Sequence, residues 1–127
     1  MNVAKIRNFF KIAAQKATFK HDNRTFFLGS VGIRNDGAHV FAVNSPSISP
    51  NRLIHSEYRL LKKCDVGSTI FVARVKADGS YGMARPCHNC SKFIVTKKVH
   101  KVYYTVNADQ YGVWSVENDV DRIYNLR

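Results

Sequence analysis

Two short segments carry side chains able to do chemistry together: His55-Ser56-Glu57 and Pro86-Cys87-His88-Asn89-Cys90. Cys87 and Cys90 are three residues apart, so on a helix they share a face and both reach one ion. Pro86 suits the first turn of that helix, because its missing N–H costs nothing there and its φ is preset. The cysteines then occupy the turn where the positive end of the helix dipole favours thiolate, the form a metal binds. His55 and Glu57 fall at the start of another helix. If the two helix starts meet over a sheet, one imidazole and two thiolates converge on a tetrahedral ion. Three protein ligands leave a fourth position for water, the arrangement of a catalytic zinc rather than a structural one. Such an ion lowers the pKa of its water to about 7 and makes hydroxide at neutral pH. Glu57 is placed to accept the proton.

Two other uses of the cysteines compete with this one. A structural zinc site needs a fourth ligand, and His88 would have to fold back between the cysteines to supply it. Redox use of Cys-x-x-Cys leaves the Pro-Cys start and the His-x-Glu segment unexplained. The third cysteine, Cys64, reads as a small core residue on the His55 helix. Three cysteines form no closed disulfide set, and without an export signal the Cys-x-x-Cys spacing favours metal or redox chemistry over a structural bridge, in a cytoplasmic setting.

The elements that must position these groups follow from patterning. Apolar residues Val3, Ile6, Phe9, Phe10, Ala13 and Ala17 recur at helical spacing. Phe26 to Arg34 and Ala38 to Val43 are expected as a hairpin about the Asn35-Asp36-Gly37 turn. Asn44 to Asn51, with two prolines and three serines, is expected as a loop, and Leu53 to Cys64 as a helix. Ser68 to Lys76 is a β-branched, aromatic-rich strand followed by an Asp78-Gly79 turn. A helix from Pro86 to about Lys97 precedes strands at His100 to Val106 and Val113 to Glu117, with a turn at Asp109 to Gly112. Asp119 to Leu126 is expected as a short closing helix. This order predicts an α/β fold of three layers, α/β/α, around a mixed five-stranded sheet, with residues 1–127 as a single domain.

His55-Ser56-Glu57 with Pro86-Cys87-His88-Asn89-Cys90 resembles the zinc-dependent cytidine and deoxycytidylate deaminase superfamily, whose signature is His-x-Glu followed by Pro-Cys-x-x-Cys. The resemblance is strong at these motifs and architectural over the rest of the chain. It implies a cytidine-deaminase-like fold, a Zn2+ cofactor held by His55, Cys87 and Cys90, and Glu57 as the catalytic proton shuttle. In that chemistry the carboxylate accepts the water's proton, donates to the ring nitrogen and helps the amine leave as ammonia. The same resemblance implies substrate contacts at Asn44, which ends the second strand, and at Ala84 and Arg85, which precede Pro86-Cys87. Arg85 departs from the Ser, Thr or Glu of many relatives; it either forms a salt bridge at the pocket rim or binds a phosphate. Tyr81, Tyr104, Tyr111 and Trp114 are expected near the pocket, where an aromatic ring could stack on a base, although core packing is the favoured use of any one of them.

Charge then bears on the substrate. Lys and Arg total 20 against 9 acids, a net +11, and residues 79–108 hold five basic residues and no acid. Such a field attracts polyanions, although a basic surface also serves solubility alone. The leading expectation is therefore conversion of cytosine to uracil in single-stranded DNA or RNA. A deaminase of free cytidine or deoxycytidine nucleosides or nucleotides is the alternative, favoured by the small size and a hairpin-like C-terminus. Free-nucleoside members usually have Cys where this chain has His55. Adenosine in tRNA is weakened by Arg85 in place of Glu, and a non-catalytic nucleic-acid module would have no use for Glu57. No membrane partner is expected, since no apolar run spans a bilayer. A homo-oligomer is compatible with the sequence, which does not specify one.

Overall fold

The computed structural model describes residues 2–17, 26–43, 60–76, 78–86 and 88–126. Helix α1 (Val3–Ala17) is followed by the antiparallel hairpin β1 (Phe26–Ile33) and β2 (His39–Val43). Leu60 and Leu61 are helical. Strand β3 (Thr69–Lys76) and the short β4 (Tyr81–Gly82) come next, then helix α2 (His88–Thr96). The described chain closes with β5 (Lys101–Thr105), β6 (Gln110–Ser115) and β7 (Val120–Asn125).

The strands form one mixed sheet in the order β2-β1-β3-β5-β6-β7, with β4 paired to β3. Only β3 and β5 run parallel among the described pairs, joined by the crossover through α2. Alternation along β3 assigns its side chains to two layers. Ile70 and Val72 pack in one cluster with Leu60, Leu61 and Cys64, and with Ile94 of α2. Phe71 and Ala73 pack in the other with Ile6, Phe10 and Ala13 of α1. The α/β/α layering is therefore real: α1 covers one face, α2 and the Leu60–Leu61 turn the other. Phe71 lies between two rings, stacked on Phe9 at 4.8 Å and on Tyr103 at 4.6 Å. No described helix is long and apolar enough to cross a membrane.

Two expectations are corrected. Asp119 to Leu126 is not a helix, because β7 pairs antiparallel with β6 from Ser115↔Val120 to Gln110↔Asn125. Val120, Ile123 and Tyr124 have the i, i+3, i+4 spacing of a helix face, which is why the segment reads as one. The four-residue turn 116–119 returns the chain along β6 as a hairpin, and Asp119 takes a positive φ of 52° to close it. The sheet accordingly has seven strands among the described residues; β4 and β7 are the two beyond the expected five.

Candidate functional site

The geometry around the cysteine motif is set by the β3–α2–β5 crossover. At one end of α2, Gly67 N–H donates to Lys98 O at 2.9 Å and His100 N–H to Ser68 O at 2.8 Å. These bonds put the C-terminus of α2 beside the starts of β3 and β5. The N-terminus of α2 therefore lies at the carboxyl ends of the two parallel strands, the edge where open α/β sheets bind ligands. Cys90 lies in the first turn of α2. Cys87, His55, Glu57 and Asn44 lie outside the described residues. Among the described residues no group of His, Cys, Asp and Glu could hold a metal ion.

The segment leading to Cys87 is tied down at each step. Buried Thr105, at the end of β5, donates its hydroxyl to Gly82 O at 2.8 Å and accepts the Arg74 N–H at 3.1 Å. Ala84, also buried, donates its N–H to Thr105 O at 2.8 Å. Arg85 then pairs with Asp121 of β7, Nε to Oδ1 and Nη2 to Oδ2, both at 3.1 Å. Its guanidinium carbon lies 4.7 Å from the centroid of the Trp114 ring. Nη1 reaches Ser91 Oγ at 3.4 Å, and that hydroxyl donates to Pro86 O at 3.3 Å.

Asp121 receives a third donor, the Tyr104 hydroxyl at 2.7 Å. Burial, then the hydrogen bond to that carboxylate, push the Tyr104 phenol up to about 12, so it stays a donor across the physiological range. Tyr104 reaches Asp121 across β6 at Gly112, directly opposite it in the ladder. A Cβ at position 112 would overlap the tyrosine ring, so only glycine leaves room for this contact. Trp114 donates its indole N–H to Asp119 Oδ1 at 3.0 Å, which ties the β6–β7 turn to the same network. A groove of about 960 Å³ runs beside it, with Arg85, Pro86, Ser91 and Trp114 among its lining residues.

The aromatic residues considered for base stacking are spent on packing. Tyr104, Tyr111 and Trp114 are buried. Tyr81 packs on the α1 side of the sheet, its ring 6.4 Å from that of Phe10, away from the layer that holds Ala84 and α2. Sequence reasoning missed Asp121, because its contacts depend on β7 being a strand. The one available signal was the turn-forming run Glu117-Asn118-Asp119 between two β-branched and aromatic stretches.

A model of the cytidine and deoxycytidylate deaminase zinc-binding region matches residues 3–106. In structure the chain is similar to cytidine deaminase from Burkholderia pseudomallei, at 18% identity and a TM-score of 0.55, over 99% of this chain and 94% of that one. Cytidine deaminase from Mycobacterium leprae is similar at 16% identity and a TM-score of 0.53, over 94% of this chain and 92% of that one. At such identities the likeness concerns the fold. A search of curated proteins found no match.

Proposed function

The chain belongs to the cytidine and deoxycytidylate deaminases, zinc-dependent hydrolases, and from that premise we propose that it converts the cytosine ring of a free cytidine-type nucleoside or nucleotide to uracil. The donor set fits zinc: two thiolates at Cys87 and Cys90 and one imidazole at His55 suit a tetrahedral ion with one open position. Two features of the fold support the set. The cysteine-bearing turn starts at the carboxyl ends of β3 and β5, and Leu60–Leu61, just after His55 and Glu57 in the chain, pack in the same layer as Ile94 of α2.

Zinc supplies a water that ionises near neutral pH. Glu57 would take the proton from that water and deliver it to N3 of the ring as the oxygen adds to C4, then carry the remaining hydroxyl proton to the amine, which would leave as ammonia. Asn44 holds the sugar or the base edge, and the backbone about Ala84 faces the base. Arg85 and Tyr81 are engaged elsewhere, on Asp121 and beside Phe10, and are left out of this substrate contact set.

One observation favours the free substrate over a polynucleotide. Of the rings that could stack on an extruded base, Tyr104, Tyr111 and Trp114 are buried and Tyr81 is partly buried on the α1 side, and the exposed cations of α1, Lys5, Arg7 and Lys11, lie across the sheet from α2. The net +11 charge favours the second reading, a single-stranded nucleic acid. Zinc-loaded protein incubated with cytidine, deoxycytidine, their monophosphates and single-stranded DNA and RNA separates the two through the uracil product. Turnover of oligonucleotides alone would sink the free-substrate reading. The Glu57→Ala protein should keep stoichiometric zinc and release no ammonia; activity equal to wild type would remove Glu57 from the mechanism.

A further inference from the structure

The turn that carries the cysteines is braced by a strand for which the proposed chemistry has no other use. Arg85 and Pro86 stand immediately before residues 87–90 and Ser91 immediately after, and the Arg85 guanidinium reaches both sides, at 3.4 Å from Ser91 Oγ and 3.5 Å from Pro86 O. That guanidinium is fixed by two bonds to Asp121 and by the Trp114 face below it. The pair is about two-thirds covered, with side-chain exposures of 33% and 32%, so it is not the freely solvated kind that contributes little. A planar guanidinium alone can pair with both carboxylate oxygens while lying over an indole; an ammonium cannot.

We propose that Arg85 is a positioning residue for the metal: held by Asp121 and Trp114, it braces both ends of the Cys87–Cys90 turn, so that β7 governs how tightly zinc is kept. The inference rests on reading His55, Cys87 and Cys90 as the ligands. Groups behind a metal's ligands commonly change affinity by about 10- to 100-fold when altered. Arg85 also accounts for the departure from the family pattern at this position, since its charge is used within the protein.

The test measures zinc affinity by competition with a chromogenic chelator, alongside thermal unfolding, for wild type, Asp121→Asn, Arg85→Lys and Tyr104→Phe. Asp121→Asn and Arg85→Lys should each weaken zinc binding by about 10-fold or more, at the lower end of that range. Their double variant should be no worse than the weaker single, because each breaks the same brace. Tyr104→Phe leaves the Arg85–Asp121 pair in place and should lose less. Arg85→Lys keeps the charge and so remains informative if another variant does not fold. Unchanged zinc affinity in folded Arg85→Lys, even with a lower melting temperature, would make the contact merely structural and overturn the proposal. If wild type binds zinc and every variant matches it, this inference fails and the deaminase reading stands. If wild type takes up no zinc, the ligand reading fails, and the inference with it.

Discussion

Asp121 bears on stability as well as on position, and its effect depends on pH. Burial alone would raise its carboxyl, but the hydrogen bonds from Arg85 and Tyr104, with the Arg85 charge, outweigh burial and hold it below the usual carboxylate range. A carboxyl depressed in the folded state stabilises the protein while it is ionised, and that contribution is lost as pH falls through its folded value. Asp121→Asn should therefore melt below wild type at pH 7, and the gap should begin to narrow once pH falls below the ordinary carboxylate pKa of about 3.9, closing only below the lower folded value. Asp65, held low first by the Asn35 N–H, and Asp78, held low first by the Ser80 hydroxyl, titrate in both proteins and drop out of the comparison. A gap that stayed constant from pH 7 to pH 3 would detach the stabilisation from this carboxylate.

The elements legible in the sequence are those whose burial leaves a periodic trace. The stripe Ile6, Phe10 and Ala13 marks α1, and all three are buried. The run Ile70-Phe71-Val72-Ala73 is apolar throughout because β3 is covered on both faces. β4, two residues long, is too short to leave a pattern, and β7 has the spacing of a helix while pairing as a strand. The two segments proposed to bear the ligands stand out in the sequence because their spacing is local. The Arg85–Asp121 pair was not, because it spans 36 residues and exists only once β6 and β7 are side by side. Residue type likewise could not tell which face of a strand Tyr81, Tyr104 or Trp114 would take. Thr105 joins three of these elements, since its hydroxyl serves Gly82 O of β4 and the Arg74 N–H of β3. Thr105→Val should cost about 1–3 kcal/mol in denaturant unfolding, the cost of stripping buried polar groups of a partner. It should also speed amide hydrogen exchange over residues 81–86; protection equal to wild type would show that the segment is held by other means.

For the molecule as a whole, the net charge matters less than where the charges stand. The acid-free stretch 79–108 meets acids from elsewhere in the chain once it folds: Asp121 engages Arg85, while Glu117 and Asp119 line the same groove as Lys92. The field beside α2 is thus partly cancelled. Turnover of a free nucleoside should change little as salt rises from 50 to 200 mM, whereas a polynucleotide held by six or more phosphate contacts would lose about 10³-fold or more in affinity over that range. Steep salt inhibition with cytidine itself would contradict the charge distribution described here. The sequence distance between Arg85 and Asp121 carries a last consequence, for biosynthesis. The cysteine pair is synthesised before the carboxylate proposed to steady it, so a chain ended before β7 would hold both cysteines without the brace. On that proposal, full-strength capture of the ion requires the closing hairpin, and zinc loading would follow completion of β7.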